Sequence, residues 1–447
     1  MKRFVSYFAL LVLLAATLAA CGTPSGTDTS AGASPASGAS TAASSAAPAA
    51  SGGATSSAPA AGADAQTIRI YSSLPRQGAS KGQTDAVVNA IKMRLEEDNF
   101  QACNGQFKID YQDLDDATAA AGKWDPATET SNANKAVSDP DAMVYIGTFN
   151  SGAAKLSIPI LNQANLVMIS PANTYTGLSK PGLGEAGEPD SYYPNKVRNY
   201  ARVVTADDVQ GAAAAKWAQK LGVKKVYILD DQEVYGKGVA TVFEKTAKEI
   251  GLEVVGHDGI DGKAQDYRAL MTKIKDVAPD LVYFGGIVDN NAGQLIKDLR
   301  ATGMTPDKVK FMGPDGIQTQ SFIDAAGEDV AEGAYATIAG LPNEKLGEKG
   351  QQFYAKYKEK FGLEAESYGI YGYESANVAL AALNKACKKD REAVRAAVFA
   401  TKDFEGALGK FSFDEYGDTT LADIQGFTVT GGTWAPTNLY TNGTWEK

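Results

Sequence analysis

Between Ala142 and Thr174 the apolar positions fall into two short runs, Ala142–Ile146 and Leu166–Ile169, divided by a segment of helical spacing. The runs read as buried strands, stopped by Gly147 and Ser170. The segment between them, Ala153 to Asn162, reads as a helix with Leu156, Ile160 and Leu161 on its inner face. Upstream the same alternation gives strands over Thr67–Leu74 and Phe107–Tyr111, and helices over Thr84–Glu97 and Ala127–Val137. The first of these helices buries Val87, Val88, Ile91 and Leu95.

After an irregular stretch holding Pro181, Pro189 and Pro194, the alternation restarts. Strands are predicted over Tyr200–Val204, Val226–Leu229, Leu252–Val255, Leu281–Phe284, Val309–Met312 and Ala334–Ile338. Helices over Val209–Leu221, Lys237–Ile250, Tyr267–Val277 and Ala292–Ala301 separate them. Three helices follow, Gly350–Phe361, Tyr371–Lys388 and Glu392–Ala400, and then strand-like pieces at Lys410–Phe413 and Gly426–Val429. Two such series predict an α/β protein of two similarly built lobes with parallel sheets. Ligands of parallel sheets sit beyond the carboxyl ends of the strands. The turns Thr148–Gly152 and Ser170–Thr174 lie at that edge and offer hydroxyls, free backbone N–H groups and a helix N-terminus, a set suited to an anion. Either turn alone reads more readily as an ordinary capping turn, and the two become informative only together with the rest of the chain.

The amino terminus has a different character. Lys2 and Arg3 precede an apolar run from Phe4 to Ala20, too short for the ~20 residues of a span. It reads as a secretory signal, and Leu18-Ala19-Ala20-Cys21 resembles the lipobox of bacterial lipoproteins, which makes Cys21 the acylated first residue of the mature chain. Residues 22–65 are almost wholly Ala, Ser, Gly, Thr and Pro, which cannot bury enough surface to offset the entropy of ordering. They are expected to form a tether with a root-mean-square reach of roughly 35–40 Å. The protein is therefore expected to be exported and held at the outer face of the cytoplasmic membrane through lipid alone.

The formal charge is −10, and removal of Lys2 and Arg3 with the signal makes it −12. An acidic body argues against nucleic acid and anionic lipid as partners. Neither a strand-linked GxGxxG nor GxxxxGK[ST] occurs, so no nucleotide cofactor is indicated. The one histidine, His257, has no serine elbow and no companion metal ligands, and reads as a surface or edge residue. Asp115-Asp116 and Asp230-Asp231 follow strands and read as solvated loop ends in preference to a metal site. No metal, no cofactor and no enzymatic role are expected. Cys103 and Cys387 remain in an oxidising setting, where a bridge and two free thiols are both open readings.

Several segments are more specific. Asp231-Gln232-Glu233-Val234-Tyr235-Gly236-Lys237-Gly238 opens a helix, and Leu281-Val282-Tyr283-Phe284-Gly285-Gly286 ends a strand. Phe311-Met312-Gly313-Pro314-Asp315-Gly316 sets one carboxylate at a glycine-flanked strand end, and Ile169-Ser170-Pro171-Ala172-Asn173-Thr174 completes the set. In order and spacing they resemble the leucine/isoleucine/valine-binding proteins, substrate-binding lipoproteins of ABC importers with the type I periplasmic-binding fold. The likeness covers nearly all of residues 66–447. It implies two Rossmann-like lobes, residues 66–203 with 340–412 and residues 204–339 with 413–447. Three crossings would join them near Arg202–Thr205, Ile338–Leu341 and Phe411–Asp414.

The resemblance also implies a site. Ser151 with Gly152, backbone at Ala172 and Asn173, and Thr174 would hold a ligand carboxylate. Asp315 would meet the ligand ammonium, where those proteins carry Glu. Tyr235 and Tyr368 would close over the ligand, and Ile287 stands where an aromatic wall is usual; Lys81 replaces another aromatic. The ligand's side chain therefore stays open, with amides, urea or small carboxylic acids as alternatives to an amino acid. The implied partners are an ABC permease and its ATPase, serving a monomer; a sensor module of a signalling system is the alternative role. The family topology returns the helices bearing Cys103 and Cys387 to one lobe, which favours their pairing.

Overall fold

The computed structural model describes residues 65–446. The signal with Cys21, and the tether up to residue 64, lie outside the described residues. The first series runs β1 (Gln66–Leu74), α1 (Lys81–Glu97), β2 (Gln101–Ala102), β3 (Phe107–Asp115), β4 (Ala117–Thr118) and β5 (Lys123–Trp124). It continues through α2 (Pro126–Ser138), β6 (Ala142–Gly147), α3 (Ser151–Gln163), β7 (Val167–Ser170) and β8 (Tyr200–Arg202). These build one sheet in the order β2-β3-β1-β6-β7-β8, parallel except for β2.

The second series comprises α4 (Asp207–Lys220), β9 (Lys225–Asp230), α5 (Val234–Glu249), β10 (Glu253–Gly259), α6 (Arg268–Asp276) and β11 (Leu281–Gly285). After it come α7 (Ala292–Ala301), β12 (Lys310–Gly313), α8 (Gln320–Ala326), α9 (Glu328–Ala331) and β13 (Tyr335–Ala339). The end of the chain adds α10 (Glu348–Phe361), α11 (Gly369–Ala386), α12 (Arg391–Phe399) and the hairpin β14 (Phe404–Gly406) and β15 (Gly409–Phe411). Last are β16 (Ile424–Thr430), β17 (Thr433–Thr441) and β18 (Thr444–Trp445). The second sheet has the order β10-β9-β11-β12-β13-β16-β17-β18, parallel as far as β13 and antiparallel after it.

Both sheets are doubly wound, with the strand order reversing between β1 and β6 in one and between β9 and β11 in the other. Such reversals open a crevice at the carboxyl ends of the strands, so each lobe brings its own binding edge to the seam. Helix α1 packs on α11, and α12 on β6 and β7, so the late helices complete the first lobe. At that contact Cys103 and Cys387 are joined as a disulfide, Cα atoms 5.5 Å apart and separated by 284 residues of sequence.

Most expected elements are present with edges moved by a few residues. The largest miss is β17, a stretch to which the sequence pattern gives no element because Thr433, Thr437 and Asn438 are polar and Pro436 breaks the strand signature. It tolerates Pro436 because it is a twisted antiparallel strand with a register shift opposite Gly426 and Phe427. The acidic pairs are also not solvated: Asp116, Asp230 and Asp231 are buried. His257 does lie on the edge strand β10, half-buried between Glu244 and Asp230 at 2.7 and 3.0 Å, and the hydrogen bond to Asp230 raises its pKa most.

The lobes are joined where β8, β13 and β15 end. Arg202, fully buried, meets Asp418 through two hydrogen bonds of 2.7 and 3.0 Å, and its guanidinium also donates to the Tyr175 carbonyl at 2.9 Å. Its backbone N–H donates to Gly417 at 3.0 Å, so residues 413–418 stay attached to the first sheet. The third crossing therefore comes later than Phe411–Asp414, at residues 419–423. There the Thr205 hydroxyl donates to Leu421 at 2.9 Å, and the Gly340 N–H to Asp423 at 2.8 Å.

A buried charge stripped of its partner is costly. Asp418→Asn should lower the unfolding free energy by about 3–5 kcal/mol in urea titration. Ser179→Ala, which removes a neutral hydroxyl from the same cluster, should cost only about 1 kcal/mol.

Candidate functional site

The seam between the two carboxyl edges encloses a cavity lined by Phe149, Asn150, Ser151, Ala172, Tyr235, Ile287, Asp315, Gly316 and Tyr368. Its volume is about 20 Å³, room for a single water and no more. Ser151 opens α3 just beyond the end of β6, at the strand-order reversal of the first sheet. Asn150 precedes it in extended backbone without a side-chain cap, so the first N–H groups of α3 remain free for a ligand. The Ser151 hydroxyl accepts from the Tyr175 N–H at 3.3 Å and keeps its own proton to donate.

Across the cavity, Asp315 begins a short 3-10 turn after β12 and Pro314. Its Oδ1 accepts from Gln210 Nε2 at 2.5 Å and from the Tyr235 hydroxyl at 2.8 Å, and its Oδ2 from the Tyr368 hydroxyl at 2.5 Å. Burial pushes its carboxyl upward, while the three donors, Tyr368 foremost, pull it back. The turn depends on Gly316, where a Cβ would stand 2.6 Å from the Gly286 carbonyl oxygen. Ile287 follows β11 at the second lobe's reversal, its N–H bonded to Asp231 at 3.2 Å. Burial also raises the Asp231 carboxyl, to about 7, against the pull of Asn290.

Six expected residues thus line one cavity: Ser151, Ala172, Tyr235, Ile287, Asp315 and Tyr368. The other three stand behind it. Gly152 is where the Trp124 ring packs, since a Cβ there would meet that ring at 2.8 Å. Asn173 clamps the adjoining turn, donating to the Thr148 and Phe149 carbonyls at 2.8 and 3.0 Å. Thr174 is buried behind the cavity wall. Gln210 was missed; a polar residue on the buried face of the alanine-rich α4 was the available signal. Phe149 was missed because it follows the glycine that ends β6 and resembles ordinary core. Among the described residues, no group of three or more His, Cys, Asp or Glu is placed to hold a metal.

Direct bonds hold the lobes together around the cavity. Asp289, after β11, accepts from the Ala79 N–H at 2.6 Å and from the N–H and hydroxyl of Ser80. Ser80 gives α1 no side-chain cap of its own, so the second lobe caps a helix of the first. Beside it, Lys123 on β5 donates to Glu233 at 2.6 Å and to Asn290 at 2.7 Å.

Two facing doubly wound lobes with polar groups converging on their seam define a solute-binding architecture. The comparisons place it more closely. The family model described as periplasmic binding protein matches residues 67–433. The Leu/Ile/Val-binding protein BraC3 of Rhizobium johnstonii is 30% identical over 77% of this chain and 87% of its own. The leucine-binding protein LivK of Thermotoga maritima superposes with a TM-score of 0.73 at 23% identity, over 84% of this chain and 99% of its own. A solute-binding protein of Rhodopseudomonas palustris in complex with p-hydroxybenzoic acid gives 0.71 at 16% identity, over 84% and 97%. This chain belongs to the periplasmic binding protein family, a family of extracytoplasmic solute-binding proteins and not of enzymes. Among the described residues, no helix is long and apolar enough to cross a membrane.

A cavity of one water's size admits a larger solute only when the seam parts. Asp289→Ala removes the cross-seam cap and should cost the closed form about 1–2 kcal/mol, roughly 5- to 30-fold in ligand affinity. Small-angle scattering should show a larger radius of gyration for the variant, restored by saturating ligand. An unchanged profile and affinity would remove Asp289 from the closure.

Proposed function

We propose that the protein captures an α-amino acid between its lobes and delivers it to an ABC permease and its ATPase as a lipid-anchored monomer. The observation that carries this reading is the division of polar groups across the cavity. Ser151 offers a hydroxyl at a helix N-terminus with no acid beside it, and Asp315 offers a buried carboxylate opposite. A zwitterion meets both, its carboxylate at the first lobe and its ammonium at the second. BraC3 is named for binding leucine, isoleucine and valine, which supports an aliphatic ligand, and Ile287 adds an apolar wall. The complex with p-hydroxybenzoic acid supports a second reading, an aromatic acid held among Phe149, Tyr235 and Tyr368, in which Asp315 has no ammonium to meet.

Thermal-shift screening of α-amino acids, benzoates and amides separates the two readings; ligand at 100 times Kd adds about 2.7 kcal/mol of stability. With the best amino acid, Asp315→Asn should weaken binding by about 2–4 kcal/mol, roughly 30- to 1000-fold. Ser151→Ala removes one neutral donor among several and should cost about 1–2 kcal/mol. Calorimetry checks both, and wild-type affinity in Asp315→Asn alongside a weakened Ser151→Ala would mean a ligand without an ammonium. For the anchor, Cys21→Ala should accumulate as unprocessed precursor, and normal maturation of that variant would rule lipidation out.

A further inference from the structure

Behind the cavity wall a buried acid joins three segments of the second lobe. Asp231 follows β9, and its backbone N–H donates to the Gly285 carbonyl at the end of β11, 3.0 Å away. Its Oδ1 accepts from the Glu233 N–H at 3.0 Å, just ahead of α5. Its Oδ2 accepts from the Ile287 N–H at 3.2 Å and from the Asn290 amide at 2.7 Å. All three donors are neutral, so the carboxylate acts as a junction and not as half of an ion pair. The fit is close on both sides. A Cβ on Gly236 would stand 2.1 Å from Asp231 Oδ1, and one on Gly286 2.9 Å from Oδ2. Glycine at both positions lets the backbone close around the carboxylate.

What the junction holds is the wall itself. Ile287 runs in extended backbone into a short 3-10 turn, Val288–Asn290, closed by the Asn290 N–H on the Ile287 carbonyl at 3.1 Å. Its side chain is buried against Tyr235 and Val239, and it lines the cavity beside Tyr235 and Gly316. Apolar packing is non-directional, so it presses the side chain inward without fixing how far. The hydrogen bond to Asp231 is directional, and it fixes the backbone that carries the side chain. The first lobe reaches the same junction from outside. Lys123 donates to Glu233 and Asn290, two of the three residues that Asp231 binds, while the third, Ile287, is held by Asp231.

We propose that Asp231 determines specificity at one remove: by fixing the Ile287 backbone it sets how far the apolar wall stands from the opposite lobe, and so which solute side chains the closed cavity accepts. Asp231 is a positioning residue, and Ile287 is the surface it positions. A side chain long enough to reach the wall gains or loses contacts with every shift of it, whereas a short one does not feel the shift. Without the carboxylate, the Ile287 N–H is left buried and unpaired, and the turn moves to find another acceptor. This deepens the amino-acid reading above, and the choice of ligands below rests on it.

The test is calorimetry on the purified protein with L-leucine and L-alanine, whose side chains differ in reach. Asp231→Ala should weaken L-leucine at least about tenfold more than L-alanine. Lys123→Met cuts the first lobe's contacts with the junction and spares the Ile287 bond. It should weaken both ligands alike, their ratio staying within about threefold of wild type. If circular dichroism shows Asp231→Ala unfolded, Asn290→Ala decides instead. It removes one arm of the junction, and should move the ratio in the same direction by more than Lys123→Met does. Equal weakening of the two ligands in the deciding variant, or a shift just as large in Lys123→Met, overturns the proposal and leaves the amino-acid reading standing. Binding of p-hydroxybenzoic acid by wild type, with no α-amino acid bound, overturns both.

Discussion

A carboxylate sealed between two lobes has to be met by whatever the lobes bring to it, and Asp315 is that group. Its partners come from both sides: Gln210 and Tyr235 from the second lobe, and Tyr368 from the helix α11 that covers the first sheet. Parting the lobes would pull Tyr368 away and return the carboxylate to water, where it needs no help. Closing them removes that water and leaves hydroxyls and an amide in its place. Those donors are neutral, so they satisfy hydrogen bonding without cancelling the charge. A solute that brings the missing positive charge therefore stabilises the closed arrangement specifically, and the electrostatics of one side chain become the drive for a movement of the whole molecule.

The joints have the opposite design. Arg202 and Asp418 neutralise each other, fully buried, beside the crossings, so that region is electrically complete whether or not a solute is present. Hydrogen bonds between neighbouring crossings, Thr205 to Leu421 and Gly340 to Asp423, keep the linking strands side by side. The charge left open is confined to the seam, where it can be answered by a ligand.

Much of this was legible in the residues. The alternation of apolar runs with helical spacing marked both sheets, because parallel strands buried on both faces leave an unambiguous signal. Asp315 stood out as one carboxylate between glycines, and Ser151 as the start of a helix after a strand. Gln210 was hidden by its setting, an alanine-rich helix whose polar residues look like solvent-facing ones until the partner surface is known. Gly152 and Asn173 also carry structural contacts that the sequence did not show: one makes room for an indole, the other ties down a loop. The strand β17 was illegible for a different reason, since an antiparallel strand at the margin of a sheet carries little hydrophobic periodicity.

The first lobe is not one stretch of chain. Its sheet is complete at Arg202, yet α10, α11 and α12, which cover one face of it, are not made until after the whole parallel portion of the second sheet. As the polypeptide emerges amino end first, strands such as Val144–Ile146 and Val167–Ile169 wait with an apolar face open for well over a hundred residues. The second lobe's parallel strands and their helices arrive in unbroken succession and can consolidate at once. Order of assembly is thereby written into the chain path: the half that appears first is finished last, and Cys387 reaches Cys103 only after 284 residues.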